Sequence, residues 1–308
     1  MLVLTRAEVR KLLDLDLLLD ALERAFVELS AGRASVPPRI AATTERGLLA
    51  AMPGYADGVL ETKLVSVFAE NRDLPTHQAT ISLFDEESGR PLALMDGTEI
   101  TAVRTGAASA VSTRALARPD AHVLAVLGAG VQGRSHITAA RRVRDFEEIR
   151  VASRSREHAE ALADEAGGVA AGSFEEAVRD ADVVCACTDA SEPVLSADWL
   201  APGTHVTSVG ASREGPELDR ATVIAGLLVV ESRVAFEPYP AGAHELQGLD
   251  PGSAVELGEV LAGAREGRSS ADEITVYKSM GHAVEDAAAA GLVYRRALEE
   301  SVGTVVEL

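Results

Sequence analysis

The chain has 308 residues, 47% of them hydrophobic and 25% charged, enough for about two domains with packed cores and too apolar for a disordered chain. A formal charge of −19 argues against nucleic acid and anionic membrane surfaces as partners, since both require a basic face, but a local group of arginines can still receive a small anion. No apolar run approaches the about 18 residues that span a bilayer, and Arg6 and Glu8 stand where a signal peptide has its apolar core, so a cytoplasmic protein is expected.

The first element reads as a helix. Thr5 with Glu8 three residues later has the spacing of a capping box, and Leu18, Leu22, Phe26 and Leu29 form an apolar stripe that ends at Gly32. After "SVPPR" the pattern changes to strands separated by turn residues: "RIAATT", "LLAAMP", "LETKLVSVF", "THQATISLFD" and "PLALMD". This is a meander without helices between its strands.

One residue of that meander is out of place. Lys63 sits in mid-strand between Thr62 and Leu64, in a chain with only three lysines (Lys11, Lys63, Lys278) among 29 basic residues. Either its stem packs while the ammonium snorkels to water, or it is a cation aimed into a cavity. Arg39, after "VPP", and Arg104, in the small-residue helix "TAVRTGAAS" of residues 98–117, pose the same choice. Taken as a set, the three suit a clamp for a carboxylate. His77 in "LPTHQAT" is a secondary candidate for a proton donor.

Beyond "RPD" the pattern alternates strand and helix, from "HVLAVLG" to "EITVYKS", which argues for a parallel sheet covered on both faces. "AVLGAGVQGRSH" places Gly128, Gly130 and Gly133 as G-x-G-x-x-G between an apolar strand and a helix that begins near Val131 and Gln132 and is read through Arg144. That is the context a dinucleotide fingerprint requires. At the end of the second strand stand Ser153, Arg154, Ser155 and Arg156, with no carboxylate to hold a ribose hydroxyl; NADP(H) is favoured over NAD(H). Cys185 and Cys187 lie two apart on a strand and read as reduced packing residues, and no metal site is read. The closing stretch of residues 281–300 is again helical and is expected to return to the first domain.

With these residues assembled, the chain resembles the ornithine cyclodeaminase/mu-crystallin family. The blocks that carry the resemblance are "MPGY", "TKLVSVF", "PTHQATISLFD", "LMDGTEITAVRTGAAS", "LGAGVQGRSH", "VGASREGPELD", "ELGEVL" and "ITVYKSMGHAVEDAAAAGLVY". The resemblance implies an α/β fold in which a Rossmann dinucleotide-binding domain (residues 116–278) is inserted into a second α/β domain for substrate binding and dimerisation (residues 1–115, completed by 279–308). It implies a homodimer and nicotinamide-dependent chemistry at the C–N bond of a small imino or amino acid. Carried over by motif, Arg39, Lys63 and Arg104 match substrate-carboxylate contacts, while Thr76, Thr188, Val209, Ser212 and Ser279 match positions near the cofactor. Two carboxylates used by the cyclodeaminase branch are replaced by Ala50 and Ser212, although a displaced carboxylate at Glu214 or Glu217 is conceivable. The expected activity is therefore reduction of a cyclic α-imino carboxylate, as in the mu-crystallin branch. The alternatives are an alanine-type dehydrogenase, an ornithine cyclodeaminase or a non-catalytic cofactor-binding protein.

Overall fold

The structure, a computed structural model, describes residues 1–212 and 214–307, so Arg213 of the "SREGPELD" run lies outside the described residues. The chain forms two compact units: Met1–Arg104 with His282–Leu308, and Thr105–Gly281. The second is thus inserted into the first along the sequence.

The first unit opens with β1 (Leu2–Leu4), α1 (Arg6–Leu12) and α2 (Leu15–Ser30). Thr5 and Glu8 form the capping box of α1. The single helix expected over this stretch is two, because the Asp14 side chain accepts the Leu17 N–H (3.0 Å) and starts a new helix at Leu15. The meander follows as β2 (Ile40–Thr43), β3 (Leu48–Ala56), β4 (Val59–Val67), β5 (His77–Phe84) and β6 (Pro91–Asp96). All of its neighbouring pairs are antiparallel. Next comes α3 (Gly97–Leu116), which the chain follows from the first unit into the second.

In the second unit the order is β7 (Val123–Leu127), α4 (Val131–Ala140), β8 (Glu148–Ala152), α5 (Arg156–Ala166), β9 (Val169–Ala170), α6 (Phe174–Val178), β10 (Val183–Ala186) and β11 (His205–Ser208). It continues through α7 (Arg220–Val223), β12 (Leu227–Val230), β13 (Val255–Glu256), α8 (Leu257–Leu261) and β14 (Thr275–Lys278). The strands make one sheet in the order β13-β12-β14-β11-β10-β7-β8-β9, with every pair parallel. Its strands are apolar on both faces. Val123, Ala125 and Leu127 belong to one core and Leu124 and Val126 to the other, as a sheet covered on both sides requires. This is the doubly wound α/β arrangement. Its switch point falls between β7 and β10, where successive connections leave in opposite directions. Cys185 and Cys187 are buried, unbridged and in the same core; burial pushes the Cys185 thiol up to about 11.

The chain then returns to the first unit as α9 (Ala283–Glu299) and β15 (Thr304–Val305), the latter pairing with β1 at one edge of the sheet β15-β1-β6-β5-β4-β3-β2. Helix α9 packs on α2 and across β3 and β4, and two glycines permit that approach. A Cβ on Gly54 would lie 2.9 Å from the Ala283 Cβ, and one on Gly291 would lie 2.6 Å from Val59. The helix is buried almost all round, so the charged residues in its first turn must find partners inside the protein.

Candidate active site

Side chains alternate along β4, so Glu61, Lys63 and Val65 face inward together. In register, Lys63 stands between Met52 of β3 and Ile81 of β5, and Glu61 stands opposite Gly54. Lys63 is only 1% exposed: the ammonium does not snorkel to water. Its Nζ lies 2.6 Å from Asp286 Oδ2, at the start of α9. Arg104 of α3 donates from Nε to Asp286 Oδ1 (3.1 Å) and from Nη1 to Glu285 Oε2 (2.7 Å), and is buried too. Helix α9 therefore brings two adjacent carboxylates to two cations that are 41 residues apart in sequence.

Burial pulls the Lys63 pKa down to about 8, against the opposing pull of Asp286 and with the help of the Arg104 and Arg39 charges. Burial alone would lift Asp286, but Lys63 and Arg104 outweigh it and hold this carboxyl below its ordinary value. Burial raises Glu285, with Arg104 opposing. Half-buried Arg39 belongs to the same group of charges, since it depresses both Lys63 and His282. His282 is buried and its pKa falls to about 4, first through burial and then through Arg39, so it is neutral around pH 7.

The structure thus brings Lys63, Arg104 and Arg39 together and leaves His77 out. His77 is exposed at the start of β5, four residues before the Ile81 that pairs with Lys63, or roughly 13 Å along the strand. Its Nδ1 meets the Thr76 hydroxyl at 3.1 Å. Sequence reasoning overlooked Glu61, His282, Glu285 and Asp286. The usable signals were the position of Glu61 two residues from Lys63, on the same strand face, and the acidic pair inside a helix with no polar side.

In the second unit the register puts Ala152, Leu127, Ala186, Ser208 and Lys278 in one row across the sheet. The residues just past that row are Ser153, Gly128, Cys187 followed by Thr188, Val209 and Ser279. Five of the residues singled out for the cofactor therefore lie along the carboxyl ends of the strands, spanning the switch point, where such sheets bind ligands. Gly128 has φ +111, and a Cβ there would lie 2.6 Å from the Cys187 carbonyl oxygen; a Cβ on Gly133 would lie 2.1 Å from the Gly128 carbonyl oxygen. A Cβ on Gly130, by contrast, would meet nothing within 4 Å. Gly130 is also the N-cap of α4 and supplies no side-chain cap, so the first-turn amides around Val131 and Gln132 face an open cradle. These residues fit a pyrophosphate.

The loop after β8 is more committed than its sequence suggests. Ser155 caps α5 by accepting the His158 N–H, and Arg156 pairs with Glu160 (2.6 Å), while Arg154 is exposed. A buried polar network fixes the other strand ends. Glu217 accepts the Thr188 N–H (2.6 Å) and hydroxyl (2.7 Å) at Oε1, and the Ser208 hydroxyl and Gly210 N–H (both 2.7 Å) at Oε2. Lys278 Nζ donates to Ser208 Oγ (3.0 Å) and the Gly210 carbonyl (2.6 Å) and pairs with Glu245 (3.0 Å). Glu231 accepts the Met280 N–H (2.6 Å) beside Ser279. With four hydrogen bonds, Glu217 is a fixed acceptor for two turns and not a displaced general base. Ser212 accepts the Glu214 N–H (3.1 Å), and Ala50 is an apolar residue in β3.

The sequence profile of the ornithine cyclodeaminase/mu-crystallin family matches residues 1–301. The chain belongs to that family. Among family relatives, the ketimine reductase mu-crystallin of Mus musculus is 41% identical over 290 residues, which is 90% of this chain and 91% of the relative. The structure of Thermococcus litoralis Δ1-pyrroline-2-carboxylate reductase in complex with NADH and L-proline superposes with a TM-score of 0.93 at 39% identity, covering 99% of this chain and all of the other. An archaeal alanine dehydrogenase dimer with bound NAD gives a TM-score of 0.90 at 33% identity, covering all of this chain and 99% of the other. The family resemblance read from the sequence blocks therefore holds along essentially the whole chain, and the Rossmann α/β fold it implied is the one observed.

Proposed function

We propose that this chain is an NAD(P)H-dependent reductase of a small cyclic α-imino carboxylate, giving the L-amino acid. The observation that carries this reading is Lys63: fully buried, paired with Asp286, and ready to release its proton near neutral pH because burial has lowered its pKa to about 8. A protonated imine is the better hydride acceptor, so a proton donor of this strength suits the reaction.

Lys63, Arg104 and Arg39 are three cations, and Asp286 and Glu285 are two carboxylates paired to them. The Arg39 charge is felt at Lys63 and at His282, so the group is rich in cations and suits a substrate carboxylate. Arg104, its guanidinium oriented by two buried carboxylates, and Arg39 receive the substrate anion, and Lys63 delivers the proton to the imine nitrogen. The dinucleotide, when bound, supplies the hydride. Gly128, Gly130 and Gly133 with the first-turn amides of α4 hold its pyrophosphate, and Glu217 and Lys278 keep the Thr188 and Val209 turns in place. With no carboxylate after β8 and a free-standing Arg154, NADP(H) is favoured and NAD(H) accepted.

The relatives that reduce cyclic imines support this substrate class, and the alanine dehydrogenase relative keeps a second reading in view, reductive amination of pyruvate. Cyclodeamination is disfavoured, since Ala50 and Ser212 offer no base and Glu217 is occupied. A homodimer is supported by the outer face of the first sheet, where Ile40, Ala51 and Leu64 share one row across β2, β3 and β4; Ile40 is 70% and Leu64 42% exposed. Among the described residues no helix is long and apolar enough to cross a membrane, and two unbridged cysteines suit the reducing cytoplasm. Oxidation of NADPH or NADH with Δ1-pyrroline-2-carboxylate, compared with pyruvate plus ammonium, tests the assignment. Faster oxidation with pyruvate and ammonium would replace it with the second reading.

A further inference from the structure

Glu61 has no place in the mechanism so far, yet it is among the least comfortable residues in the protein. It is 2% exposed, and neither carboxyl oxygen has a hydrogen-bond partner among the described residues. Both cations whose charge reaches it are taken: Asp286 holds Lys63 and the Arg104 Nε, and Glu285 holds the Arg104 Nη1. The side chain lies over Gly54, where an added Cβ would come within 3.2 Å of its Oε1, and it shares the inward face of β4 with Lys63, one alternation away. A buried carboxyl with no cation of its own keeps its proton. Burial and the Asp286 charge accordingly raise its pKa well above the ordinary value.

We propose that Glu61 is the proton store for Lys63. Resting on the reductase reading, the cycle runs as follows. The Lys63 ammonium loses a proton to the imine nitrogen as the carbon accepts hydride; one N–H bond breaks and one forms. Glu61, unpartnered at rest, then turns along the shared face of β4 to the Lys63 amine; its O–H bond breaks and the proton restores the Lys63 ammonium, leaving a Glu61 carboxylate. That carboxylate takes a proton from water as product leaves, so each turnover consumes one solution proton and one hydride. Glu61 acts through Lys63 and does not touch the substrate. The same design gives a use to an interior carboxyl with no partner: it holds a proton on the strand face it shares with Lys63, and both residues are sealed from solvent until product leaves.

The test is a rapid-mixing experiment on Glu61→Gln with NADPH and Δ1-pyrroline-2-carboxylate. Lys63 begins protonated, so the first equivalent of NADPH is consumed at the wild-type rate. Later turnovers, which need reprotonation, are slower by about tenfold to a hundredfold. Glu61→Leu gives the same two-phase trace, Glu61→Asp restores a single phase, and imidazole buffer accelerates the slow phase in Gln and Leu variants alone. Melting midpoints of the Gln and Leu variants are equal to or above the wild type, because an unpaired buried acid has been removed. A single fast phase at the wild-type rate in Glu61→Gln, or equal slowing of first and later turnovers, overturns the proposal. Failure of wild-type protein to oxidise NADPH with this imine would instead overturn the reductase reading.

Discussion

Lys63 Nζ and Asp286 Oδ2 meet at 2.6 Å with both side chains essentially sealed from solvent, and this contact joins the middle of a strand to the first turn of a helix more than 200 residues later. If Lys63 delivers the proton, Lys63→Met lowers turnover at least about a hundredfold. Dinucleotide affinity stays unchanged, because the cradle is built by other residues. Nicotinamide fluorescence titration beside steady-state rates separates the two effects, and unaltered turnover removes Lys63 from the mechanism.

The rate of imine reduction should fall as pH rises through about 8, where Lys63 loses its proton. The stability effect has the opposite sign. The folded pKa lies below the ordinary lysine value of 10.5, so between about 8 and 10.5 the unfolded chain binds the additional proton. The contribution of this group to stability is least below pH 8 and grows across that window. A pH–rate profile and denaturant midpoints over the same range check both signs.

Asp286→Asn leaves Lys63 and the Arg104 Nε without their shared anion. Removing one member of a buried ion pair costs about 3–5 kcal/mol, and a loss of that size in urea unfolding is expected. With its main opposing charge gone, Lys63 titrates lower still, so the descending limb of the pH–rate profile moves below 8. An unchanged limb would show that Asp286 does not govern the Lys63 proton.

Much of this was legible in the sequence, and the parts that were not have physical reasons. The meander and the parallel sheet declare themselves through alternation and through fully apolar strands, whereas β1, β9, β13 and β15, at two or three residues each, are too short to show any period. Lys63 stood out because a cation interrupts an apolar strand. Glu61 did not, because an acid in an alternating strand reads as solvent-facing until the covering helix is known. Glu285 and Asp286 were hidden by an ordinary rule, since acidic residues favour the first turn of any helix. Helix α4 was read through Arg144 but ends at Ala140; the Arg144 guanidinium instead reaches the carbonyls of Arg114 and Val143.

The cradle gives a paired prediction. Gly130→Ala adds a methyl group that touches no protein atom, so the variant folds normally while dinucleotide binding weakens, because the methyl occupies ligand space. Gly133→Ala drives a Cβ to 2.1 Å from the Gly128 carbonyl and loses stability as well as binding. Calorimetric titration and thermal melts distinguish them, and full NADPH affinity in Gly130→Ala would place the pyrophosphate elsewhere.

For Arg154→Ala the expected change is in preference and not in rate. An arginine–phosphate contact is a charge-assisted one, so KM for NADPH rises about tenfold while that for NADH holds steady. Equal changes for both would mean that Arg154 does not read the ribose phosphate.

The choice of arginine for most of the basic residues has a practical result for anyone handling this protein. Of its three lysines, Lys63 and Lys278 are sealed inside and only Lys11 reaches solvent, its side chain 64% exposed in a surface pair with Glu300. Amine-directed dyes, biotin reagents and crosslinkers should therefore find a single lysine, remote in function from the chemistry, and tether the molecule without silencing it.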